Sequence, residues 1–283
     1  MRYSKYLMTV LAFSIVACEI DDPGVTNNTP GPAALVRFIN VGVDTGTVDL
    51  RFVDRVENLP TLQGVAFRGA SGIFQRVEPG ARNARVFVNS TDPVLTQVRL
   101  VDTTLTLTAN ERYTLIYAGR ANGNQDRLAV LNEPATLPSP PGLAIKIINA
   151  GGTTGAVDVY IAPAPSGSNN ADPIANAVTV VRNVPLLGQS AYVTVPIRPT
   201  TGEVLYQFAV TAAGSTTVLF SGRPNLPGAP STVSTTGPSP GVQIAGSVLT
   251  AVVAPGSIAG TRQSTAATTT PTVLLLIDKA LNP

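Results

Sequence analysis

From Ala34 onward the chain alternates apolar and polar positions. Val48, Leu50 and Phe52 alternate with Asp49 and Arg51, and Val157, Val159 and Ile161 alternate with Asp158 and Tyr160. A period of two carried by β-branched residues describes a strand with one buried face. The same pattern predicts strands over Ala84 to Asn89, Gln97 to Val101, Thr103 to Thr108, Tyr113 to Ala118 and Arg127 to Leu131. Further along it predicts Ala177 to Arg182, Ala191 to Val195, Val204 to Thr211, Thr216 to Ser221, Gly246 to Val253 and Thr272 to Asp278. Asp92-Pro93, Ala109-Asn110 and Ala121 to Asn124 punctuate these runs as turns. No 3.6-residue period is long enough to predict a helix.

The pattern occurs twice. The ten residues from Asn40 to Asp49 align with the ten from Asn149 to Asp158, and six positions are identical: Asn, Gly, Thr, Gly, Val and Asp. The flanks agree in kind: Val36-Arg37-Phe38-Ile39 matches Ile145-Lys146-Ile147-Ile148. The common offset of 109 residues is too long for a solenoid unit and suits a sandwich of immunoglobulin size. Gly42 to Gly46 and Gly151 to Gly155, between the two strands of each copy, read as a loop or hairpin turn. The fold class expected is all-β, with two tandem immunoglobulin-like antiparallel β-sandwich domains. Their bounds are 34–134 and 143–283, joined by a proline-rich linker at 135–142 that acts as a semi-rigid spacer. Segments 224–240 and 255–271, rich in Pro, Gly, Ser, Thr and Ala, read as long and partly disordered surface loops.

The N-terminal residues follow another rule. Arg2 and Lys5 precede an apolar run from Tyr6 to Ala17, which is 12 residues long. A bilayer-spanning helix needs about 20, so the run fits a secretory leader instead. It ends in Ile15-Val16-Ala17-Cys18, which resembles the bacterial lipobox. The resemblance implies cleavage before Cys18 and lipid on its thiol. Residues 1–17 then form a lipoprotein signal peptide, and residues 18–33, with Glu19, Asp21 and Asp22, a flexible tether. Cys18 is the only cysteine. The exported part therefore has no disulfide and must rely on sizeable cores.

Composition narrows the partners. The chain has 19 basic and 17 acidic residues, and two of the basic ones lie in the leader, so the remainder is formally neutral. Nucleic acid is not expected as a partner, because phosphate binding needs a basic surplus. Charged residues make up 13% of the chain, against about 25% in typical domains. Strand and turn residues fill the difference, which favours sheets over exposed helices.

The repeats resemble a bacterial family known as domain of unknown function 4397, often found in tandem on exported proteins. The resemblance rests on the apolar strand, small-residue loop and Val-Asp-apolar run at Val36 to Leu50 and again at Ile145 to Tyr160. Phe74 to Gly80, with Val77-Glu-Pro79-Gly80, matches a later family feature. Tyr192 to Pro196 is the weaker second copy, and Tyr113 to Gly119 is also family-like. Asn40 and Asn149 stand where members often have His, and Arg51 replaces a tyrosine. The family implies an immunoglobulin-like sandwich on an exported chain and implies no reaction.

Little remains for chemistry. Histidine is absent, which removes the commonest general base and metal ligand. No phosphate-binding glycine loop, nucleophile elbow or calcium loop occurs. No catalytic residue, metal site or cofactor is expected, and the chain is read as not an enzyme. Carboxylate pairs for glycoside hydrolysis would have to come from acids such as Asp49, Asp54, Glu57, Glu78, Asp102 and Glu111. Asn40, Asp49, Asn149 and Asp158 are matched between copies and either tie down loops or take a ligand. Tyr160 is a candidate ring platform for a sugar. The function expected is a membrane-anchored cell-envelope lipoprotein acting as a structural, adhesive or protein-binding module. The alternative is a carbohydrate-binding module for cell-wall or extracellular glycans. The expected partners are the membrane, through lipid on Cys18, and an envelope protein or glycan. The expected location is the bacterial envelope, on the periplasmic or surface face of the outer membrane.

Overall fold

In the computed structural model the alternating segments are strands, and the described residues are 31–54, 62–72, 74–119, 126–151, 155–165, 168–197, 205–229 and 238–281. Cys18, the leader and the tether before Gly31 lie outside them. The first half holds β1 (Ala34–Asn40), β2 (Val48–Phe52), β3 (Gly69–Ala70), β4 (Gln75–Val77) and β5 (Gly80–Val88). A single 3-10 turn at Leu95–Gln97 leads to β6 (Arg99–Leu107), β7 (Arg112–Ala118) and β8 (Arg127–Glu133). One sheet runs β3-β1-β7-β8, with β4 also on β1; the other runs β2-β5-β6. The second half holds β9 (Leu143–Asn149), β10 (Val157–Ala164), β11 (Thr179–Val184), β12 (Val193–Val195), β13 (Leu205–Ala212), β14 (Val218–Gly222), β15 (Val248–Ala254) and β16 (Thr272–Ile277). Its sheets run β12-β9-β15-β16 and β11-β10-β13-β14. The chain is all-β, as its periodicity predicts.

Two local expectations change. The runs Gln97 to Val101 and Thr103 to Thr108 are one strand, β6. Asp102, which interrupts the apolar pattern, does not break it, because Arg85 and Arg99 reach its carboxylate at 3.1 and 2.7 Å. The glycine-rich segment after Asn40 is an arch and not a hairpin, since β1 and β2 belong to different sheets. A strand that leaves its sheet through an arch has no hairpin partner in that sheet. β1 is instead paired by β7 in parallel, and β9 by β15 in parallel, so these sheets are mixed where purely antiparallel ones were expected.

Each half encloses its own core. Val36, Phe38, Val48, Leu50, Val86 and Leu115 fill the first; Ile145, Ile147, Val159, Phe208, Leu249 and Val253 fill the second. A third cluster joins them: Ile39, Val41 and Ile116 meet Ile148, Ala150, Val252 and Ala254. β1 and β9 are thus covered on both faces. This explains why their sequences read as nearly unbroken apolar runs and not as alternation. The linker at 135–142 carries no strand, yet Pro32–Pro283 form one compact unit.

Segment 255–271, expected as a loose loop, is tied to the first half. The Ile258 N–H donates to the Val43 carbonyl at 2.9 Å. The Arg68 guanidinium donates to the carbonyls of Pro255, Thr268 and Thr270. In segment 224–240, an isolated bridge pairs Ala229 with Ser239, and residues 230–237 lie outside the described residues. Among the described residues no helix is long and apolar enough to cross a membrane.

Candidate functional site

The residues matched between halves sit at the two arches. Asn40 Nδ2 donates to the carbonyls of Gly46 and Val65 at 2.7 and 2.9 Å, and its Oδ1 accepts the Gly42 N–H at 2.9 Å. Asn149 repeats the arrangement on Gly155, Val184 and Gly151 at 2.9, 3.2 and 3.4 Å. Only an amide side chain offers two donors and an acceptor on so short a stem. Asp49 accepts from the Gly64 N–H, Asn89 and Arg51 at 2.8, 2.8 and 2.5 Å. Asp158 accepts from the N–H groups of Asn183 and Gly214 and from Arg182, at 2.7, 3.0 and 3.3 Å. Asn183 has a φ of 53°, a left-handed turn that aims its N–H at the carboxylate. Burial by itself would raise the Asp49 pKa; the donors from Gly64, Arg51 and Asn89 outweigh it, and the net shift is downward. All four side chains are buried and spent on the chain itself.

Tyr160 is a correction. It is only 5% exposed, beside Val180 and Ala209 in the sheet, with the Arg182 guanidinium 5.9 Å from its ring centroid. Its outward face is covered because β10 is buried along nearly its whole length. It therefore offers no platform to a sugar.

A second set of polar residues lies in the seam between the halves. Arg37 on β1 stands beside Thr114 on β7, and Lys146 on β9 stands beside Thr250 on β15, at equivalent places in the two ladders. Thr114 donates to Glu133, at the end of β8; Thr250 donates to Asp278, just past β16. The cations then cross over. Arg37 Nη1 pairs with Asp278 Oδ1 at 2.5 Å, and Lys146 Nζ pairs with Glu133 Oε2. Each half thus supplies a cation, a threonine and an acid; each cation's shortest pair is with the acid of the other half, and Arg37 Nη2 also lies 3.7 Å from Glu133 Oε1 of its own half. Aromatics flank both: Arg37 and Arg112 lie 4.6 and 4.0 Å from the Phe74 ring centroid, and Lys146 lies 5.4 Å from that of Tyr192. The Tyr192 hydroxyl donates to Asp278 Oδ2 at 2.8 Å.

The four ionic side chains are at most 1% exposed. Burial pushes the Lys146 ammonium down to about 7; Asp278 opposes this, and Arg37 and Arg112 add to it. Burial, and then Asp278, raises the Tyr192 phenol. The set is a sealed lock between sheets, without the open face that a substrate would need. Sequence reasoning passed over it. The available signal was a lone cation at the same place in two apolar runs, Val36-Arg37-Phe38 and Ile145-Lys146-Ile147.

Two more of the candidate acids are engaged: Asp54 with Arg82 and the Asn83 N–H, and Asp102 with two arginines. Glu57 lies outside the described residues. Among the described residues no group of three or more acids is placed to hold a metal. An open groove of about 630 Å³ runs along β16, walled by Arg68, Gly69, Ala70 and Gly72 and by Arg223, Pro224, Asn225 and Leu226.

The arch pairs Asn40 with Asp49 and Asn149 with Asp158 fall inside one stretch with a recognisable relative. Residues 25–160 are similar to the family described as Domain of unknown function (DUF4397). The DUF4397-like stretch takes in the first sandwich, the linker and β9, and ends at Tyr160 within β10. It thus includes both arches and stops short of the acid that Arg37 pairs with, Asp278. No curated protein matches the chain.

Proposed function

We propose that the chain is an exported lipoprotein, cut before Cys18 and held at the bacterial envelope by lipid on that residue. It presents a rigid, non-catalytic binding module on the periplasmic or surface face of the outer membrane. The two sandwiches are copies of one immunoglobulin-like unit fused face to face. The matched places of Arg37, Thr114 and Glu133 against Lys146, Thr250 and Asp278 support that reading.

The observation that carries the non-catalytic reading is the fate of the titratable groups. The buried acids are consumed by the arches and by the seam, in a chain without histidine. The anchor rests on Ile15-Val16-Ala17-Cys18 and on Cys18 being the sole cysteine. One or two acyl chains beyond the first would make the attachment stable. The glycan reading has lost its ring platform at Tyr160, and no other observation favours it.

Membrane fractionation tests the anchor. Wild-type chain is expected in the membrane fraction and Cys18→Ala chain in the soluble fraction, with unchanged thermal unfolding. Equal membrane association of both would remove the anchor.

A further inference from the structure

β16 is the last strand of its sheet and, among the described residues, pairs only with β15. Its sequence, TVLLLI, has no charge, proline or glycine, the usual devices that protect an edge. The Asp278 N–H donates to the Val248 carbonyl, so by antiparallel alternation the even-numbered residues of β16 bond to β15. The N–H and C=O groups of Leu275 and Ile277 then face outward, toward the groove, while Val273 is covered by Gly222. All six residues of β16 line it.

The charge of the groove is one-sided. Arg68 bonds to the Thr270 carbonyl, two residues before β16 begins. Arg223 follows Gly222, where an added Cβ would come 2.5 Å from the Val273 nitrogen. These contacts put Arg68 and the backbone of Arg223 at the Thr272 end of the strand, and both residues line the groove. Arg68 bonds carbonyls through Nε and Nη2, and Arg223 through Nη1. Among the described residues neither pairs with a carboxylate, and Arg68 Nη1 and Arg223 Nη2 remain available. Among the described residues, Arg68 and Arg223 are the charged residues that line the groove.

We infer that β16 is a docking edge for an extended apolar peptide that adds to the sheet as an antiparallel strand. An antiparallel strand brings its C-terminal end to the start of β16. Its terminal carboxylate then meets Arg68 and Arg223, two cations with free donors. Backbone bonds to the edge supply affinity, and the carboxylate fixes direction and register. A free chain end suits the place, because its carboxylate continues the line of the docked strand's own backbone toward the two arginines. This deepens the binding-module reading, whose anchor is tested separately and does not enter the experiment below.

The test uses the full chain in detergent and a fluorescein-labelled peptide, Thr-Val-Thr-Val-Leu-Val, with a free carboxylate or a C-terminal amide. The carboxylate form is expected to bind roughly tenfold more tightly, the worth of one charge-assisted contact. Arg223→Gln, which leaves the carbonyl bonds of Arg68 intact, should shrink that preference, and Arg68→Gln with Arg223→Gln should abolish it. Hydrogen exchange should slow at Leu275 and Ile277 on binding. Equal affinity for the two peptides, or binding without protection in β16, overturns the proposal. So does a dimer whose β16 amides are protected before peptide is added, since a second copy would then be the occupant.

Discussion

At the scale of single residues, the matched side chains act on their own backbone. Asp158 holds the N–H groups of Asn183, at the irregular end of β11, and Gly214, between β13 and β14, and Asn149 holds both sides of its arch. Removing either leaves buried partners unsatisfied, which costs about 1–3 kcal/mol. Asp158→Ala and Asn149→Ala are each expected to lower chemical-denaturation stability by that amount. Asp49 adds a pH signature. Its folded pKa lies below the ordinary value of 3.8, so its contribution is complete above 3.8 and is lost as pH falls through the folded value. The stability advantage of wild type over Asp49→Asn should therefore hold at neutral pH and narrow in acid. A constant gap down to pH 2 would separate the effect from ionisation.

At the scale of elements, legibility followed the number of buried faces. β13 and β15 fall within two residues of their predicted bounds, because apolar, β-branched runs between turn residues mark them. The arches were not legible. Gly42 to Gly46 has the composition of a hairpin turn, and only the sheet assignment shows that the chain crosses between layers there. What commits the segment is contact: a Cβ at Gly42 would lie 2.3 Å from Tyr117 Cε1. Tyr117 is itself buried, with its hydroxyl donated to Asp126. Gly42→Ala should displace that ring and cost about 1–3 kcal/mol, read as a lower unfolding midpoint. Gly64→Ala, with open space around it but a φ of 67°, isolates the backbone cost for comparison. Segment 255–271 was equally opaque, since its bonds to Arg68 and Val43 join places about 200 residues apart, and composition carries no record of them.

At the scale of the whole molecule, the question is whether two sandwiches behave as one body. The apolar seam and the crossed pairs Arg37–Asp278 and Lys146–Glu133 couple them, so denaturant should unfold both halves in one transition. The ionic part of the seam is a matter of specificity as much as of stability. Taking two charges out of water is costly, and a buried pair returns that cost only with good geometry. Breaking the pair is another matter: Lys146→Met leaves buried Glu133 with Arg37 alone, 3.7 Å from its Oε1, and is expected to cost about 3 kcal/mol, the low end for a broken buried pair. Lys146→Met with Glu133→Leu removes both charges and should recover most of that loss. Lys146 also sets a pH slope. Its folded pKa is about 7 against an ordinary 10.5. Between those values the unfolded chain holds more protons, so stability rises with pH across the window. The double variant should lose that slope while keeping the single transition. If it instead unfolds in two steps, the crossed charges, and not the apolar contacts around Ile39 and Ile148, are what join the halves.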